Sequence, residues 1–172
     1  MVAVSDASPL VYLAKAGRLS LLRDLFGKVW IPERVCEEVV IRGKALKIAD
    51  ASMVDHAVGA WVVRMEIDQD LSERYSFLDD NERLGVGERD ALRLCKQLKA
   101  DLLIVDDKEA RRVARILRIK PIGTCGILAR AHSSGLITTR EAEEILDGLI
   151  RAHFRVEPAL YRRILKELRI IK

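Results

Sequence analysis

The chain has 172 residues, 49% of them hydrophobic and 33% charged, with only 10 glycines and 4 prolines, which describes one globular domain large enough to bury a core. The formal net charge is +4, a modest basic excess that tolerates a polyanionic partner without identifying one. No apolar run is long enough to span a bilayer, and "MVAVSDASPL" lacks the charged-then-hydrophobic order of a secretory leader, so a soluble, cytoplasmic protein with no membrane partner is expected.

"MVAVS" reads as a first strand stopping near Asp6, and Ser8-Pro9 reads as an N-cap followed by proline at the first helical position. Gly17 ends that helix, and "LSLLRDLFG" makes a second, closed by Gly27. "KVWI" is the next strand, and Pro32 opens the helix "PERVCEEVVIR", which stops near Gly43. "KALKIADASMVDHAV" is a weaker helical pattern and "AWVVRMEI" a strand rich in Trp and β-branched residues. Residues 68–86 are polar, with "DLSERYSFLDD" the helical part. "GERDALRLCKQLKA" places Ala91, Leu92, Leu94, Cys95 and Leu98 at helical spacing behind Gly87. "DLLIVD" is a continuous apolar run, the mark of a strand buried on both faces. The helix "KEARRVARILR" follows, then a short strand "KPIG". Thr-capped helices then begin at Thr124 and in "TTREAEEILDGLIRAHF", and a last helix starts at Pro158. Strands alternating with helices predict an α/β fold: a three-layer α/β/α arrangement around a central parallel sheet, with additional C-terminal helices. Residues 1–150 form the expected main domain and 151–172 a basic helical extension packed on it. Cys36, Cys95 and Cys125 are far apart in apolar contexts and read as buried thiols, not as a disulfide framework or a zinc site.

In an open parallel sheet, ligands bind outside the carboxyl ends of the strands. Asp6 ends the first strand, and Asp106 and Asp107 end "LLIV". Glu88 and Asp90 lie in the first turn behind Gly87, and Glu37 and Glu38 in the first turns behind Pro32. Each acid alone is explained by a helix dipole or a cap. Together at one edge they repel unless a cation sits among them, and their hard oxygens suit magnesium or manganese. Glu37 and Glu38 lie equally far round an α-helical wheel from the Val35/Cys36/Val39/Val40 stripe, so periodicity does not choose between them.

These segments resemble the PIN domain, and within it the prokaryotic branch related to VapC-type toxin ribonucleases. The resemblance rests on "VSDASPL", "IPERVCEEV", "GERDALRL" and "LLIVDDKEARRVARILRIKPIGTCGILARAHSSGLI", and spans about residues 2–137. It implies Asp6, Glu38, Asp90 and Asp107 as catalytic and metal-binding acids, with Ser8, Glu88 and Asp106 in support. The Pro-x-x-Val-x-x-Glu pattern is what selects Glu38. The usual Thr-x-Asp ending is replaced here by Val105, with Asp106 added, so whether Asp106 or Asp107 meets the ion stays open. The implied activity is Mg2+- or Mn2+-dependent cleavage of RNA, with an antitoxin protein and a homodimer as implied partners. Arg111, Arg115 and Arg118 fall at i, i+4 and i+7 on the helix after the aspartates and would share one face along an RNA backbone. His56, His132 and His153 fall away from the acids in sequence, and no histidine is needed.

Other Asp-rich α/β folds fit less well. Asp6 is followed two residues on by Ser8, not by the second aspartate of a haloacid dehalogenase phosphatase. The aspartate pair precedes Lys120-Pro121 by a single helix, too close for a receiver domain. No glycine-rich nucleotide loop occurs. The alternative from another class is a binding module with a PIN-like fold that holds RNA or protein without catalysing.

Overall fold

The computed structural model describes residues 1–42 and 49–170. Gly43 and the first residues of the weak helical pattern at 44–58 lie outside them. Five strands form one wholly parallel sheet in the order β3-β2-β1-β4-β5, where β1 is Ala3–Ser5, β2 Val29–Pro32, β3 Val62–Met65, β4 Leu102–Ile104 and β5 Lys120–Ile122. Ala3 pairs with Val29 on one side and Leu102 on the other. The chain builds outward from β1 through β2 and β3, then crosses to β4 and β5. Between β1 and β4 the order reverses, and such a switch point opens a crevice at the carboxyl ends of the strands.

The apolar strands alternate between two cores, which is why they read as unbroken hydrophobic runs. Leu102 and Ile104 face one cluster, whereas Leu103 and Val105 face the other. Burying each leucine or isoleucine contributes roughly 1.5–3 kcal/mol and fixes which face is which. One layer holds α1 (Ala7–Lys15), α2 (Ser20–Phe26), α8 (Thr124–Ser133) and α9 (Thr139–Arg151). The other holds α6 (Val86–Leu98) and α7 (Lys108–Ile116). The remaining helices are α3 (Glu33–Cys36), α4 (Ala49–Ala57), α5 (Gln69–Arg74) and α10 (Pro158–Ile170). The last packs on α8 and α9 through Ile164 and Leu168. The α/β/α layering and the parallel sheet agree with the sequence reading. Among the described residues, no helix is long and apolar enough to cross a membrane. Cys36, Cys95 and Cys125 are buried free thiols.

Several local readings change. Asp6, not Ser8, is the N-cap of α1, so Pro9 stands third in the helix, still inside the turn where its missing N–H costs nothing. Thr124 is the first residue of α8 and Gly123 its N-cap, so Thr124's hydroxyl is free for another partner. By contrast, Thr138 does cap α9, with Glu141 completing a reciprocal capping box. The helix after Pro32 opens as α3 and widens at Glu37–Arg42 into a π turn. Arg118 is not on α7: the helix closes with the Ile119 N–H donating to Ala114 O at 2.8 Å, and Arg118 turns left-handed at φ 59°. The three-arginine face is thereby reduced to Arg111 and Arg115.

Candidate active site

The switch point is where the acids gather. The Asp6 N–H donates to Ile104 O at 3.0 Å, tying the end of β1 to the end of β4. Asp6 is only 4% exposed. Burial lifts its carboxyl to about 7; the N–H groups of Ala7 and Ser8 counter that lift, and the charges of Glu88 and Glu38 add to it. A buried carboxylate beside two others is costly to ionise, and positive charge placed nearby would offset that cost.

Gly87, in the first turn of α6, explains how the acids come near each other. A Cβ there would stand 3.4 Å from Glu38 Oε2, 3.4 Å from Val35 Cγ2 and 3.5 Å from Asp6 Oδ1. Its bare backbone leaves room between the two carboxylates. Glu38 is thus the member of the pair that faces Asp6, whereas Glu37 is held by Arg34 Nη1 at 3.1 Å. Both lie on the π turn, whose i→i+5 spacing departs from an α-helical wheel.

Glu88 is half-buried, and its Oε2 accepts the Gly85 N–H at 2.8 Å, which orients it at the mouth of α6. Burial raises its carboxyl, the Gly85 N–H lowers it, and Asp107 and Glu38 raise it further. Glu88 therefore connects acids of three elements. Asp90 is placed differently. Arg93 Nη1 donates to its Oδ1 at 3.2 Å, and Arg93 and Arg34 oppose the lift that burial imposes. Arg93 itself, with its side chain 7% exposed, also binds Asp79 Oδ2 at 2.6 Å.

The consecutive aspartates diverge. Asp107 caps α7, its Oδ1 accepting the Ala110 N–H at 2.8 Å, on the side of Glu88. Asp106 turns towards α8, accepting the Thr124 N–H at 2.8 Å and the Thr124 hydroxyl at 2.6 Å. Burial raises the Asp106 carboxyl, while Thr124 and Arg111 hold it down. A side chain at Gly123 would meet Asp106 Oδ1 at 2.9 Å, so glycine is required there by close approach. Ser8, second in α1, meets Asp6 through its backbone N–H. His132 lies elsewhere, buried against the Thr139 hydroxyl at 3.0 Å.

The donor set of Asp6, Glu38, Glu88 and Asp107 is all carboxylate oxygen, the chemistry that Mg2+ or Mn2+ prefers, and the gap over Gly87 leaves space among them. Among the described residues, no three His, Cys, Asp or Glu side chains stand close enough to form a ready ligand group. A shared ion would require these side chains to close in. The sequence reading names Glu88 as a supporting residue, and the structure places it beside Glu38 and Asp107.

Among solved structures, VapC20 of Mycobacterium tuberculosis, a Sarcin-Ricin loop cleaving toxin, is similar at 15% identity with a TM-score of 0.49, covering 64% of this chain and 94% of that one. A comparison with curated proteins finds no match. A family model described as the PIN domain matches residues 2–169, nearly the whole length. With the acids at the switch point of its parallel sheet, the chain belongs to the PIN-domain family.

Proposed function

We propose that this protein is a divalent-metal-dependent endoribonuclease that hydrolyses phosphodiester bonds in RNA. The observation that carries the reading is the gathering of Asp6, Glu38, Glu88 and Asp107 at the switch point, with Asp6 buried beside like charges. In this reading these four residues hold Mg2+ or Mn2+, and Asp90, engaged by Arg93, stands at the rim of the set. A bound ion of this kind polarises a phosphoryl oxygen and lowers the pKa of a bound water.

The chain's own groups prepare the site. The Ala110 N–H orients Asp107 and the Gly85 N–H orients Glu88, so two of the acids need little ordering when they close on a ligand. The N–H groups at the start of α1 favour the ionised form of Asp6, against burial that disfavours it. Gly87 keeps the approach between Asp6 and Glu38 free of side-chain atoms.

The sequence resemblance extends the proposal to a toxin with an antitoxin partner and to a homodimer. Co-purification with the product of a neighbouring gene checks the first, and light scattering the second. The reading as a non-catalytic RNA- or protein-binding module is favoured by one observation, that the acids are not closed into a three-donor group.

Manganese-dependent cleavage of a mixed panel of single-stranded RNAs decides between them. Cleavage by the wild type, abolished by Asp6→Asn and by Asp107→Asn with folding intact, supports the nuclease. Manganese-independent RNA binding with no cleavage supports the module.

A further inference from the structure

On the other side of the aspartate pair lies a second site. A cleft of about 550 Å³ opens between the start of α7, the end of β5 and α10, within the size range of small-molecule pockets. Its charged walls are Lys108, Arg111, Arg155 and Arg163, against Asp106 and Glu157. Both carboxylates are already engaged. Asp106 accepts two hydrogen bonds from Thr124, and Glu157 is paired with Lys108. With four cations against two carboxylates, the cleft keeps a cationic balance.

Two arginines carry the argument. Arg111 reaches inward beside Gly123, and its Nε is buried without a hydrogen-bond partner. An orphaned guanidinium N–H is costly unless something fills the role of acceptor. Arg155 is exposed at the rim and makes no ion pair among the described residues. The lining also includes apolar Phe154 and Leu160 with the small residues Gly126 and Ala129. An anion on the arginines carrying a flat apolar group against those side chains has the chemistry of a nucleotide.

Position links the two sites. Asp106 lines the cleft, while the next residue, Asp107, faces Glu88. A single strand passing over the carboxyl edge of the sheet would meet both. We infer that this cleft is a subsite for a nucleotide flanking the one cleaved, its phosphate on Arg111 and Arg155 and its base against Phe154 and Leu160. The inference rests on the ribonuclease reading and gives the basic C-terminal segment a role in it.

The test is binding of a short fluorescein-labelled single-stranded RNA, in EDTA to prevent cleavage, followed by anisotropy across a salt series. Arg155→Ala is expected to weaken binding several-fold and Arg111→Ala/Arg155→Ala about tenfold or more, with the salt slope reduced by roughly 0.7 for each phosphate no longer neutralised. Arg155 is exposed, so its variant reports without risk to the fold, and Arg140→Ala, on α9, controls for total charge. Wild-type affinity and slope in both cleft variants would overturn the subsite and leave the nuclease reading standing. A wild type that neither binds nor cleaves RNA would take down both.

Discussion

Asp106 and Asp107 are neighbours in sequence yet serve different helices. Asp107 accepts the Ala110 N–H at the start of α7, and Asp106 accepts the Thr124 N–H and hydroxyl at the start of α8, 18 residues further along the chain. Two adjacent negative charges at the end of a buried strand are tolerated because they point apart, each to the positive end of a helix. This divergence divides the carboxyl edge into an acidic half and a basic half.

The two aspartates should therefore separate stability from activity. Asp106→Ala leaves the Thr124 N–H and hydroxyl without their acceptor, and an unfolding midpoint corresponding to about 1–3 kcal/mol of lost stability is expected. Asp107→Asn keeps an oxygen for the cap and should cost well under about 1 kcal/mol while removing cleavage. Urea denaturation beside an RNA assay reads both.

Glu88 and Asp90 make a second contrast. Glu88→Gln preserves the bond to the Gly85 N–H and should leave stability nearly unchanged, yet reduce cleavage at least about tenfold, a transition-state loss near 1.4 kcal/mol. Asp90→Asn should reduce cleavage less, because Arg93 already engages that carboxylate. Equal losses, or a larger one at Asp90, would move Asp90 from the rim into the ligand set.

Gly87→Ala puts a methyl group at 3.4–3.5 Å from Glu38 Oε2 and Asp6 Oδ1. Helix propensity favours alanine by up to about 1 kcal/mol, so the variant should fold at least as well as the wild type. Manganese affinity by calorimetry should nevertheless fall, because the new methyl occupies the space between two ligands.

Asp6 makes the protein's stability depend on pH. Its folded pKa of about 7 lies above an unfolded value near 3.8, so between those values the folded state binds more protons and ionisation favours unfolding. In metal-free buffer its contribution is fully present below pH 4 and is lost as pH rises towards and through 7. The ceiling on that loss is on the order of 4 kcal/mol. Asp6→Asn removes the titration, so the variant should gain on the wild type between pH 5 and 8 in thermal melts.

The sheet was legible because "VAVS", "KVWI" and "LLIV" are apolar runs bounded by helix signals, and the alternation of strands and helices forces parallel pairing. Asp6 and Asp107 could be placed at one edge from strand ends alone. Other features depend on contacts or backbone shapes that local patterns do not encode. The π turn at Glu37–Arg42 shifts the helix phase, so a wheel with 3.6 residues per turn could not separate Glu37 from Glu38. Ser8-Pro9 mimics a cap, but Asp6 is the N-cap residue, two positions earlier. Arg118 continues the i, i+4, i+7 arithmetic past the point where α7 has already closed. Asp106 finds its partner across the sheet in Thr124, a contact no short window contains.

Diffraction from manganese-soaked crystals, recorded for anomalous signal, tests the acidic edge most directly. One or two manganese peaks ligated by Asp6, Glu38, Glu88 and Asp107 are expected, with the side chains drawn in around them and the peaks lost in Asp6→Asn. Crystals that diffract well yet show no manganese among these carboxylates at neutral or alkaline pH would contradict the metal-dependent nuclease.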